Sequence, residues 1–364
     1  MISESDKNFL KEKYLEINER FLCLITKRKP DRVPVLPLIG AGSRHILGVS
    51  YREYALNPDI AFKCLLEAVR IVGHDSIPLT LGPDLCVESS DFGGATIFPE
   101  NDTPYPDPTK WFIKEPKDYK KVKNFSWDKA KRMNLVIYGM EKYNEILDNG
   151  GAMTIGPMGV LVRLRRPQDL VRDWLMHKEE LHEALDFITE ILIEFVEKQL
   201  EAGSGKVKML MIPTVCAQKD IMSGKLWEEI DAPYLQKIVD AAKRKGAIFI
   251  THNCGRGAYF DLLIKWLKPI AMHFAYLPND CESEQEMIEK YSKKVIMVGY
   301  VDTSLLGLGT PSEVIAECKR EIEMFRDWKR GYVLASACEY PSYAPLYNAI
   351  AMVKAAEKYG KYEV

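Results

Sequence analysis

The sequence predicts an α/β protein folded as a single (β/α)₈ TIM barrel with an N-terminal helical extension. Three observations lead there. Eight short apolar runs recur along the 364 residues. Longer amphipathic stretches separate them. Polar and reactive side chains gather where the runs end. Continuous apolar runs belong to strands buried on both faces, as in a parallel sheet covered by helices. Eight strand–helix units point to a closed barrel over an open sheet. No Gly-x-Gly-x-x-Gly turn follows the first run, which weighs against an open dinucleotide-binding sheet.

The elements follow in order. Residues 5–27 place Phe9, Leu10, Tyr14, Ile17, Phe21 and Leu22 at helical spacing. Lys29-Pro30-Asp31-Arg32-Val33-Pro34 ends that helix, because proline lacks an N–H and restricts the residue before it. The runs are Val33–Ile39, Ser76–Leu79, Ala152–Ile155, Val207–Ile212, Ala247–Thr251, Pro269–Phe274, Val295–Val298 and Gly331–Ala335. Helical patterns occupy 180–202, 233–245, 283–292 and 311–328. Residues 82–150 hold more than one helix and the proline-rich stretch Pro99–Pro108, and are expected to form an insertion on the C-terminal face of the barrel. With residues 1–30 as the N-terminal helix, positions 1–364 make one domain.

Charge narrows the function classes. Fifty Lys and Arg nearly cancel 52 Asp and Glu, for a net charge of −2. That excludes a general nucleic-acid or anionic-membrane surface. No apolar stretch approaches the roughly 20 residues of a membrane span. The charged N-terminus lacks the apolar centre of an export signal. A soluble cytoplasmic protein is expected, and its eight cysteines are read as free thiols or metal ligands before disulfides.

Barrel enzymes carry their chemistry where strands end. Here the exits read Gly82-Pro83-Asp84, Gly156-Pro157-Met158-Gly159, Pro213-Thr214-Val215-Cys216, His252-Asn253-Cys254, His273-Phe274 with Tyr276, Gly299-Tyr300-Val301-Asp302 and Cys338-Glu339. His252 and Cys254 are two apart at one exit, and Cys338 comes from the last. One imidazole and two thiolates form a catalytic zinc set with an open fourth position, and soft donors favour Zn²⁺ over Mg²⁺ or Ca²⁺. Either Glu339 or Cys216 is a candidate for that position until substrate displaces it. Asp84, Glu339 and Tyr300 are the expected catalytic side chains. Met158, Cys216, Phe274 and Tyr276 are the expected substrate contacts. Plainer readings stand beside these: Asp84 as a turn residue, Asp302 as a helix cap, the aromatics as packing under the loops, His273 and His74 as structural.

The chain resembles the superfamily of uroporphyrinogen decarboxylase and the corrinoid-dependent methyltransferases, from about residue 20 to 360. The segments that carry the resemblance are Lys29–Pro34, Gly156-Pro157-Met158, Ala247–Gly255, Gly299–Asp302 with Gly309–Val314, and Cys338-Glu339-Tyr340-Pro341 followed by Asn348. The resemblance implies a (β/α)₈ barrel. In its methyltransferase branch, a His-x-Cys…Cys zinc site falls on His252, Cys254 and Cys338. The decarboxylase branch has an arginine-rich motif after the first strand, where this chain reads Pro37–Arg44 with one arginine, which argues against porphyrinogen decarboxylation. The resemblance implies zinc and a cobalamin (corrinoid) carried by a partner protein, since no Asp-x-His-x-x-Gly motif occurs here. A homodimer is left open. Two roles follow from it: methylcobalamin:coenzyme M methyl transfer, or O-demethylation of a methoxylated aromatic donor. The apolar exits lean to demethylation, as only Lys219 and Arg256 stand nearby as cations for a sulfonate. A non-catalytic binding barrel is the reading from another class.

Overall fold

The computed structural model describes residues 3–76, 82–147, 150–203 and 207–362. The first helix, Glu4–Ile25, opens on a reciprocal cap in which Ser3 accepts the Asp6 amide and Asp6 accepts the Ser3 amide. Seven parallel strands follow: β1 Val35–Leu36, β2 Gly150–Met153, β3 Lys208–Pro213, β4 Ala247–Asn253, β5 Ala271–Phe274, β6 Ile296–Val298 and β7 Tyr332–Ala335. They lie in the order β1-β7-β6-β5-β4-β3-β2. Seven of the eight expected runs are therefore strands of one curled parallel sheet. The eighth, Ser76–Leu79, falls beyond Ser76 outside the described residues, so a closed eight-stranded ring is not seen among the residues described.

Alternation along the strands divides the core in two. Leu36, Ile250, Ala271, Val298, Val333 and Ala335 meet on the concave side. Phe21, Leu24 and Ile25 of the first helix join them, so that helix plugs the N-terminal end of the sheet. Phe249, Met272, Met297 and Leu334 face outward into the larger core beneath the helices. The plug is tied down electrostatically. Buried Asp75 accepts from Arg20, Arg32 and the Val35 amide, at 2.7, 2.7 and 2.8 Å.

The helical layer includes Lys178–Ala202, Ala232–Arg244, Glu284–Tyr291 and Pro311–Phe325, within a few residues of the sequence patterns. Residues 82–147 carry a short antiparallel ribbon, Thr96–Ile97 with Tyr105–Pro106, and the helices Val87–Asp91 and Lys131–Leu147. The last of these lies against the first helix, Pro58–Val72 and Lys178–Ala202, which gives it a place in the helical layer. Asp302 caps Thr303–Leu308 by accepting the Ser304 amide. Among the described residues, no helix is long and apolar enough to cross a membrane.

Candidate metal centre

The C-terminal ends of β4, β5 and β7 meet at one point on the concave side. Strand register pairs His252 of β4 with His273 of β5. Directly paired residues share a face, so both imidazoles project inward, above Ile250 and Ala271. The exit of β4 is then held by Asn253, whose side chain donates to the Thr214 and Ala217 carbonyls and accepts the Gly255 amide at 2.9 Å. The Gln218 amide packs against Gly255, where a Cβ would fall 1.1 Å from Gln218 Oε1. This turn brings Cys254 round to His252.

Cys338 arrives on a turn shaped by Ser336. The Ser336 hydroxyl reaches the carbonyls of Pro37, at 2.9 Å, and Cys338, at 2.6 Å, so the exits of β1 and β7 are stapled together. A ligand atom from each of His252, Cys254 and Cys338 lies within 4.8 Å of the other two, with His252 Nε2 3.7 Å from Cys338 Sγ. A tetrahedral zinc with roughly 2.3 Å bonds to sulfur and 2.0 Å to nitrogen would hold its donors about 3.5–3.8 Å apart. The set therefore fits zinc, by donor chemistry and by spacing. Of the eight cysteines, Cys254 and Cys338 keep open surface while the other six are buried.

Proton placement at His252 follows from its partners. The Ser336 carbonyl can only accept, and His273 Nε2 stands 2.7 Å from it, so Nε2 carries the His273 proton. His273 Nδ1 is then an acceptor, 2.7 Å from His252 Nδ1. That leaves the His252 proton on Nδ1 and a free lone pair on Nε2, facing the thiols. Burial, reinforced by His252, holds the His273 imidazole down to about 3, so it is neutral. The two thiols interact. The bond from Cys338 lowers Cys254 to about 7, and the same bond together with burial pushes Cys338 up.

A charged region adjoins this one. Glu339 accepts the Ala41 amide at 3.2 Å, and a Cβ on Gly40, which has φ +46°, would stand 2.5 Å from Glu339 Oε1. The outer face of Glu339 is open, but protein crowds the rest of it. That crowding, with the Asp84 charge adding, pushes its carboxyl up to about 7. Asp84 is buried and paired with Arg132: Nη1 donates to Oδ1 at 3.0 Å, and Nη2 meets Oδ2. The charges of Glu339, Asp84 and Arg44 all reach Tyr51, while that of Arg163 reaches Cys86, Glu88 and Cys216. Asp84, Glu88 and Met153 line a small cavity of about 10 Å³ beside Phe195. The cations the strand exits lack are thus supplied by helices: Arg44, Arg132 and Arg163.

The structure does not gather every expected residue here. Tyr300 stacks on Phe274 with ring centres 5.4 Å apart, and its hydroxyl donates to Glu284 in the outer helical layer. Phe274 is on the outward face of β5, 1% exposed and edge-on to Phe260, which leaves it no open face. Met158 is 3% exposed, within the core under the helices. Cys216 is buried there too, its thiol raised by burial, and neither it nor Glu339 belongs to the close donor group found among the described residues. Tyr276 is exposed, with the Arg256 guanidinium 4.6 Å over its ring. The sequence reading took His273 as structural and did not single out Arg132. The first had a signal, since two histidines occupy matching exits of neighbouring strands. The second had none.

The chain matches the family Uroporphyrinogen decarboxylase (URO-D) over residues 16–359. It is 24% identical over 354 residues to the methylcobamide:CoM methyltransferase MtbA of Methanosarcina mazei, covering 94% of this chain and 97% of that protein. It is also 24% identical over 350 residues, with the same coverage, to MtbA of Methanosarcina acetivorans. A solved structure, a methyltransferase from Methanosarcina mazei, aligns with a TM-score of 0.75 at 20% identity, over 94% of this chain and 98% of that one, which is a likeness of fold. With the family match spanning nearly the whole sequence, the chain belongs to the uroporphyrinogen decarboxylase family.

Proposed function

We propose that the protein is a zinc-dependent methyltransferase, which moves a methyl group from the cobalamin of a partner corrinoid protein to a small thiol such as coenzyme M. The observation that carries this reading is the convergence of His252, Cys254 and Cys338 within 4.8 Å. The methylcobamide:CoM relatives, alike over 94% of the chain, support the direction. Bound zinc would supply a Lewis-acid site that lowers the pKa of an incoming thiol. His252 Nε2 and the two cysteine sulfurs hold it. Glu339, with a carboxyl near neutrality, takes the thiol proton, and the partner's cobalamin is left reduced as the methyl passes to sulfur. Arg44 and Arg163 supply positive charge for the acceptor's anionic end, whereas Arg132 is matched by Asp84.

Demethylation of a methoxylated aromatic is the weaker reading. The aromatics that favoured it, Phe274 and Tyr300, pack against each other under the helices, and Met158 is in the core. Zinc-loaded protein with methylcobalamin and coenzyme M tests the function. Loss of methylcobalamin absorbance with formation of the methylated thiol supports it. If nothing happens, but a methoxybenzoate methylates Co(I) cobalamin, the direction is reversed.

A further inference from the structure

We infer that His273 is a positioning residue for the metal site, fixing both the tautomer and the orientation of the ligand His252. The inference rests on the zinc reading above and adds a residue to it. Three contacts make the case. His252 and His273 are register partners on adjacent strands. Their Nδ1 atoms stand 2.7 Å apart, with ring centres at 4.5 Å and planes tilted by 31°. His273 Nε2 is in turn held at 2.7 Å by the Ser336 carbonyl. Ser336 is the residue whose hydroxyl shapes the Cys338 turn. One chain of hydrogen bonds therefore runs from the imidazole ligand, through His273, to the turn that presents a thiol ligand.

Metal-binding histidines commonly donate their second N–H to a carboxylate or a carbonyl. Here the acceptor is a neutral imidazole buried to 4% exposure. The choice has an electrostatic consequence. Two thiolates already neutralise a divalent ion, and an incoming thiolate adds a further negative charge. A carboxylate behind His252 would add another. A neutral acceptor orients the ligand without opposing the substrate.

The test is zinc affinity by chelator competition, together with the absorption bands of the cobalt(II)-substituted protein. His273→Leu removes the acceptor and keeps an apolar side chain. It should weaken zinc binding by roughly 10–100-fold and shift the cobalt bands. In His273→Asn the side-chain oxygen stands near the position of Nδ1, so affinity should return to within a few-fold of wild type. Wild-type affinity in His273→Leu, or equal losses in both variants, would overturn the inference. Should the Leu variant fail to fold, His273→Ala, which also lacks the acceptor, takes its place against His273→Asn: a loss of tenfold or more in Ala with near-wild-type affinity in Asn upholds the assignment, and equal affinities reject it. The two proposals fail separately. If wild-type protein takes up no zinc, the proposed function falls. If it binds zinc and His273→Leu binds it equally well, only the role of His273 does.

Discussion

Two adjoining regions of the open end are put together differently. His252, Cys254, Cys338 and His273 sit at strand exits, and their neighbours are set by register and by backbone staples from Asn253 and Ser336. Asp84, Arg132, Glu88 and Glu339 come from loops and helices: Asp84 pairs with Arg132 across 48 residues, while Glu88 and Glu339 accept the Ile155 and Ala41 amides. The first region is neutral and soft, suited to a thiophilic metal. The second is charged and hard, suited to protons and anions. Altering a donor in the first should cost metal and activity with little stability, whereas altering a charge in the second should cost stability first, because an unpaired ion is left buried.

The largest expected effect is on metal. His252→Ala or Cys338→Ser should abolish stoichiometric zinc, read by metal analysis after anaerobic purification, and methyl transfer with it. Next is Asp84→Asn, which strands the Arg132 guanidinium at 7% exposure. Breaking a buried pair from one side costs about 3–5 kcal/mol, read from urea unfolding, and the double variant Asp84→Leu/Arg132→Met should recover much of that loss. Gly255→Ala then tests the staple of the first region. Its Cβ would overlap Gln218, and overpacking of this kind costs about 1–3 kcal/mol, with weaker zinc binding as a second readout.

A buried carboxyl with no cation beside it sharpens the contrast with Asp84. Asp231 is held by the Trp227 indole N–H at 3.0 Å, and burial raises its pKa from 3.8 to about 7. The folded state therefore binds the proton more tightly than the unfolded chain. That stabilisation is complete below about pH 3.8 and is lost as pH rises through about 7. Unfolding free energies at pH 5 and pH 8 should differ less in Asp231→Asn than in wild type. The smallest effect expected is that of Tyr300→Phe. It removes one hydrogen bond to Glu284, worth about 1 kcal/mol, and should leave kcat unchanged. A large fall in kcat would return Tyr300 to the catalytic group.

The same contrast explains what was legible in the sequence. His252, Cys254 and Cys338 could be read because a strand's end is visible as the end of an apolar run, and parallel strands carry their exits to one rim. Phe274 was misplaced in the pocket because position at an exit does not fix the face. Parity does: with His273 turned inward, Phe274 next to it must point out. Arg132 was not legible at all. Its partner Asp84 is 48 residues away, and nothing in the local pattern of the helix Lys131–Leu147 separates it from a surface arginine. Ser336 was hidden for a related reason, since its carbonyl meets His273 and its hydroxyl meets the Pro37 carbonyl, both far away in the sequence. The strand expected at Ser76–Leu79 lies beyond the described residues apart from Ser76.

The most direct test of the central claim is to add coenzyme M to the cobalt(II)-substituted protein and follow its absorption. Intense sulfur-to-cobalt bands from Cys254 and Cys338 are expected, strengthening and saturating as the added thiol binds at the open position, and diminished in Cys338→Ser. A spectrum without thiolate bands, or one that the thiol leaves unchanged, would contradict it.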